Sequence, residues 1–186
     1  MDVYTIVLLY VSVTMSPAPT LTRILPKGGM VGGVTSLNNQ LFVVRDPAQQ
    51  QIEVYDTDTF KLQQNIYVPG LSNAVGLASC AVNNCLYVNG FRYNLYKGDN
   101  CVYRVALQPS SDTLTQWNVD SNPWGISVNS ANNVLVTCRN DKKIQEYTTR
   151  GSLIREISLS SAGFGRPYYS IQLPTGHIAI SYNYGV

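Results

Sequence analysis

Apolar and polar residues alternate along this chain in short runs, and each run stops at an Asn-Asn, Asp-Pro or Gly-containing break. Leu41-Phe42-Val43-Val44, Leu86-Tyr87-Val88-Asn89 and Val134-Leu135-Val136-Thr137 are such runs, too short for helices and rich in β-branched and aromatic residues, which predicts strands. Before each lies a small-residue strand and an Asn-Asn turn: Gly33-Val34-Thr35-Ser36 with Asn38-Asn39, Gly76-Leu77-Ala78-Ser79 with Asn83-Asn84, and Gly125-Ile126-Ser127-Val128 with Asn132-Asn133. After each comes a polar loop and a third strand, Ile52 to Tyr55, Val102 to Val105 and Ile144 to Tyr147, then a fourth at Asn65 to Val68, Thr115 to Val119 and Ile154 to Leu159.

The leading glycines lie 43 and 49 residues apart, and Gly125 lies 44 before its counterpart Tyr169. Four-strand units at this period predict an all-β chain, a β-propeller of four-stranded antiparallel blades with three complete blades and a partial one. The blades are expected at about 28–70, 71–121 and 122–165, with the partial one at 166–186, so that 20–186 form the propeller segment. Leu21 to Leu25 reads as the outer strand of a further blade. The finish at Tyr184-Gly185-Val186 falls where a loop to a third strand should begin, so a fragment of a longer protein is the expectation. Residues 1–19 form an apolar segment. Tyr4 to Val13 reads either as a signal peptide lacking its basic start or as a buried strand, and is too short to span a membrane.

Composition narrows the classes. With 45% hydrophobic and 13% charged residues the chain can bury a core, which excludes disorder, and a formal charge of +2 is too small for the net field to draw it onto a polyanion. Cys80 and Cys85 flank Asn83-Asn84 and are expected diagonally across a two-residue hairpin, where a disulfide would close a very small loop. Their spacing lacks a second ligand pair for zinc. Neither compartment, cytoplasmic or secreted, is excluded.

Residues 122–157, NPWGISVNSANNVLVTCRNDKKIQEYTTRGSLIREI, resemble an NHL repeat: a Pro-x-Gly-hydrophobic opening, a turn, a hydrophobic strand, a polar loop, an Ile-x-x-Tyr strand and a Gly turn. The resemblance extends over about 28–186 and is weakest where Tyr169 replaces the leading glycine. It implies a place among six-bladed, TolB-like propellers, here a partial one, that act as non-catalytic scaffolds binding protein or RNA. Some such domains are the substrate-recognition part of ubiquitin ligases, whose RING-type Cys/His cluster this sequence lacks. Gluconolactonase-like propellers, metal-dependent hydrolases, are the enzymatic alternative. They hold a divalent ion with Glu, Asn and Asp, yet the inner strands Val34 to Ser36, Leu77 to Ser79 and Ile126 to Val128 carry no carboxylate.

In such a ring the loops between second and third strands share one face with the segments that open each blade. Those loops contain Arg45, Arg92, Arg139 and Arg166, with Phe91, Trp124 and Tyr168 beside them, and predict a basic, aromatic face for an anionic partner. The plainer reading pairs these arginines with Asp46, Asp99 and Asp141 as solvated ion pairs and wedges Trp124 between blades. His177, the only histidine, follows the Thr175-Gly176 turn with no nucleophile motif around it. Expected, then, are a protein partner, RNA as the alternative, and no cofactor, metal, membrane span or small-molecule substrate.

Overall fold

The computed structural model describes residues 6–7, 30–46, 50–90, 100–108, 114–120, 122–160 and 165–183. Leu21 to Leu25, Phe91 and Arg92 lie outside them. Blade 1 is the meander β2 (Met30–Leu37), β3 (Gln40–Asp46), β4 (Gln51–Asp56) and β5 (Leu62–Tyr67). Blade 2 repeats it with β6 (Ala74–Cys80), β7 (Cys85–Gly90), β8 (Cys101–Ala106) and β9 (Leu114–Asn118), and blade 3 with β10 (Pro123–Val128), β11 (Val134–Cys138), β12 (Lys143–Tyr147) and β13 (Leu153–Ser158). Blade 4 holds the antiparallel pair β14 (Arg166–Gln172) and β15 (Ile178–Asn183). The place of its third strand is taken by β1 (Ile6–Val7), which pairs in parallel with β15 through Ile6↔Ile178 and Val7↔Ala179.

Turn chemistry sets the registers. Asn38 and Asn39 both adopt positive φ (51° and 58°) between the paired residues Leu37 and Gln40, the conformation that a two-residue hairpin needs and that asparagine tolerates. The second hairpin departs from expectation. Its turn takes four residues, 81–84, closed by the Asn84 amide donating to the Ala81 carbonyl at 3.3 Å, so Cys80 and Cys85 are directly opposite rather than diagonal. In the third, Asn129 Oδ1 accepts from the amides of Ala131 and Asn133 (3.0 and 2.9 Å).

The blades stack face to face. Phe42, Val44, Ile52 and Val54 of blade 1 pack on Leu77, Leu86 and Val88 of blade 2. Ala78, Tyr87 and Val102 of blade 2 pack on Ile126, Val134 and Val136 of blade 3, and Leu135 and Ile144 on Ile178 and Ile180 of blade 4. Each such aliphatic side chain contributes about 1.5–3 kcal/mol by burial. Leu77 and Ile126, which face the preceding blade, are 6% and 0% exposed, whereas their counterpart Val34 in blade 1 is 51% exposed.

The leading glycines let successive inner strands touch. A Cβ on Gly33 would stand 2.7 Å from the Leu77 amide nitrogen, and one on Gly125 2.5 Å from the Tyr168 carbonyl oxygen. Tyr169 takes the glycine position in blade 4 and is 43% exposed, with no described inner strand beyond it to meet. At the outer edge Gly151 has φ +89°, and a Cβ there would lie 2.6 Å from the Trp117 indole, which itself packs on Tyr87 and Tyr147. Gly151→Ala is therefore expected to lower stability by about 1–3 kcal/mol, combining left-handed strain with overpacking, as read from the urea midpoint.

Candidate functional site

Every inner strand carries an irregularity near its start. The register shifts between Val31 and Gly33, Ala74 and Gly76, Pro123 and Gly125, and Pro167 and Tyr169. Proline supplies no ladder N–H, which suits the last two to such a break, and the skipped residue is turned out of the sheet. Gly32, Val75, Trp124 and Tyr168 hold these four positions. The two large aromatic residues thus come from consecutive blades, on the side of the disc where inner strands begin.

Arg139 joins them from the end of β11, where its amide donates to the Asn122 carbonyl at 3.2 Å. Its guanidinium carbon lies 4.4 Å from the Trp124 ring centroid and 4.6 Å from that of Tyr168, and Nη2 donates to the Tyr168 hydroxyl at 3.0 Å. The two rings meet edge to face at 5.6 Å and 76°. Nε of Arg139 is buried without a hydrogen-bond partner. Among the described residues no carboxylate pairs with this cation, whereas Arg45 holds Glu53, Lys143 holds Asp120 and Glu156, and Arg155 holds Glu146. Cation–π contact of this kind replaces solvation only in part.

The other expected site residues are placed apart. Arg45 stands one register position ahead of Arg139: it is opposite Val31, as Cys138 is opposite Pro123. That single step turns its side chain onto the blade face, where Nε donates to Glu53 Oε2 at 2.9 Å and Tyr55 donates to the same oxygen at 2.7 Å. Tyr55 and then Glu53 hold the Arg45 guanidinium more firmly in its charged form. Arg166 is exposed at the start of β14, opposite Asn183. Trp124 is half-buried at the junction of blades 3 and 4, so it is at once a wedge and a wall of the Arg139 site. His177 sits at the opposite face, its Nδ1 2.8 Å from Thr175 Oγ1.

A second polar cluster flanks the site on the outer side of blade 3. Lys143 Nζ lies 2.5 Å from Asp120 Oδ2 and 2.8 Å from Glu156 Oε1, and Gln145 Nε2 donates to both carboxylates. The Lys143 hydrogen bond, outweighing burial, holds Asp120 below the usual carboxylate range, and Glu156 is lowered by Lys143 and Gln145. Two carboxylates share one ammonium in this cluster, whereas no carboxylate among the described residues pairs with Arg139. No group of three or more His, Cys, Asp or Glu able to hold a metal occurs among the described residues, and no helix among them is long and apolar enough to cross a membrane.

Comparison with known proteins agrees with the blade frame. Residues 121–147 match the NHL repeat. The chain has the β-propeller fold, as part of a ring. A catalytically inactive virginiamycin B lyase from Staphylococcus aureus, solved with quinupristin, is similar at 16% identity and TM-score 0.65, over 87% of this chain and 52% of that one. Kuenenia stuttgartiensis hydrazine synthase is similar at 19% identity and TM-score 0.63, over 86% of this chain and 43% of that one. The WD40 β-propeller domain of Doa1 is similar at 15% and 0.62, over 82% and 47%. At these identities the likeness is one of fold, and the chain spans about half the length of each solved chain. No curated protein matches the sequence.

The sequence placed Trp124, Arg139 and Tyr168 on one basic, aromatic face by loop position, together with Arg45, Phe91, Arg92 and Arg166. That these three pack on one another was not legible, because it depends on the bulge. The signal was present in Pro123-Trp124-Gly125 and Pro167-Tyr168-Tyr169, where the residue after proline is the one turned outward.

Proposed function

We propose that this propeller segment is a non-catalytic scaffold that binds protein through the loop face of blades 3 and 4, with Arg139 receiving a carboxylate of the partner. One observation carries the reading: a part-buried guanidinium held between Trp124 and Tyr168 with no carboxylate of its own among the described residues. The recognition end of a larger ubiquitin-ligase-type protein is one setting for such a scaffold. Protein is favoured over RNA because Arg139 already covers a face of each ring on which an unpaired base would stack.

The test is fluorescence anisotropy with a labelled peptide of alternating Asp, Glu and Gly, set against a labelled uridine-rich oligonucleotide. The peptide is expected to bind the wild type, and Arg139→Ala to weaken it at least about tenfold, the equivalent of about 1.4 kcal/mol. Arg139→Lys is expected to fare little better, since an ammonium cannot lie flat between two rings. Tighter binding of the oligonucleotide, with steep salt dependence, would replace the protein reading by the RNA one.

A further inference from the structure

We infer that Cys80 and Cys85 are a cross-strand dithiol that closes to a disulfide by exchange with a low-molecular-weight disulfide such as oxidised glutathione. The two residues are direct partners in the β6–β7 ladder, and both lie within the core between blades 2 and 3. Directly opposed residues of an antiparallel pair have Cα atoms about 4.5–5.5 Å apart, inside the roughly 4.4–6.8 Å that a disulfide spans. The backbone is therefore already in place. The turn between them is local, so the pair meets as soon as the hairpin forms.

The other two cysteines are placed out of reach by the same ladder. Cys101 is opposite Gly90 and Asn118 and belongs to the core on the other face of blade 2. Cys138 is opposite Pro123 and Lys143, at the loop-face end of blade 3, whereas Cys80 and Cys85 close the hairpin at the other end of their strands. Polar groups surround the pair: Asn83 Nδ2 donates to Cys80 Sγ at 3.2 Å, Cys80 Sγ lies 3.8 Å from Asn132 Oδ1 of blade 3, and Arg104 and Tyr87 lie against the Cys85 thiol. A guanidinium beside a thiol favours the thiolate while the hairpin is still open to water. Once blade 3 covers it, burial pushes the Cys85 thiol up, and Cys80 and Cys85 are 2% and 0% exposed. The bond is thus made during folding and protected afterwards.

The exchange balances. One Cys thiolate attacks oxidised glutathione, forming a mixed disulfide and releasing one glutathione thiolate. The other attacks the protein sulfur of that mixed disulfide, forming the Cys80–Cys85 bond and releasing the second. The two cysteine protons end on the two glutathiones, the protein pair being oxidised and the glutathione disulfide reduced.

The experiment is refolding of the reduced full chain in a glutathione redox buffer, acid quench, denaturation and labelling with N-ethylmaleimide. Two labels per chain are expected, at Cys101 and Cys138. Trypsin should release residues 62–92, which contain no internal Lys or Arg, unlabelled and lighter by two hydrogens. Cys101→Ser should keep that signature and Cys85→Ser should lose it. Labelling at all four cysteines, a glutathione left on either sulfur, or a bond involving Cys101 or Cys138 would each overturn the inference. Because the hairpin lies at the opposite end of the strands from Arg139, a negative result leaves the proposed binding face standing.

Discussion

Gly125→Val is expected to cost about 3 kcal/mol or more and to abolish binding at Arg139, the larger part of the cost coming from backbone rather than side-chain contacts. A Cβ at this position would meet the Tyr168 carbonyl oxygen at 2.5 Å, the Tyr169 Cα at 2.8 Å and its ring at 2.9 Å. The first two are main-chain atoms of β14, so relief requires the whole inner strand of blade 4 to move away. That motion would break Ser127 Oγ donating to the Ser170 carbonyl (2.7 Å) and the 2.8 Å contact of Thr137 Oγ1 with Ser170 Oγ, both buried. It would also carry the Tyr168 ring off Arg139. Two glycine controls separate these effects. At Gly76 the tightest contact is the Asn89 side-chain oxygen at 2.4 Å, the end of a side chain, so Gly76→Ala should cost less than Gly125→Ala. At Gly176 nothing lies within 4 Å and φ is +86°, so Gly176→Ala should cost only the left-handed conformation, about 1–2 kcal/mol. Urea midpoints of the Ala series would be measured, and equal costs at Gly125 and Gly176 would refute the close-approach account.

The same glycines explain how much was legible beforehand. Alternation, Asn-Asn turns and glycine spacing mark the blades because each is a local signal tied to one physical need: a pleated face, a left-handed turn, a close approach. What was not legible depends on a shift of a single residue. Arg45 and Arg139 look equivalent by loop position, yet one register step sends the first onto Glu53 and the second between two rings. Cys80 and Cys85 fall opposite rather than diagonal because their turn uses four residues. The parallel pairing of Ile6 and Val7 with β15 joins two generic apolar segments far apart in the chain, and no periodicity encodes such a pairing.

Glu146→Ala is expected to cost about 2–4 kcal/mol, because it takes the acceptor from the buried Asn129 and part-buried Asn133 amides as well as the ion-pair partner from Arg155. The Glu146 side chain is 5% exposed and faces blade 4 from β12; Oε2 accepts from Arg155 Nε at 2.6 Å, and Oε1 from Asn129 Nδ2 and Asn133 Nδ2 at 2.9 and 2.8 Å. The carboxylate therefore ties the β10–β11 turn, β12 and β13 together, three elements that share no other charged group among these contacts. Burial disfavours the ionised form, but the bonds from Asn133, Arg155 and Asn129 outweigh it and hold the Glu146 carboxyl below its ordinary 4.5. A folded-state pKa lowered in this way adds stability that is complete above the unfolded value and is lost as pH falls through the folded one. Stability should thus decline below about pH 4.5, with Asp120 and Glu156, lowered by Lys143, adding to the same slope. Glu146→Gln separates charge from shape. The amide oxygen can still accept from Asn129 and Asn133, and Arg155, 34% exposed, can turn to water, so the cost should be well below that of alanine. The Glu146 share of the acid slope should vanish in that variant. Urea midpoints of wild type, Glu146→Ala and Glu146→Gln between pH 3 and 7 would decide it, and an unchanged slope in the glutamine variant would place the acid sensitivity at Asp120 and Glu156 alone.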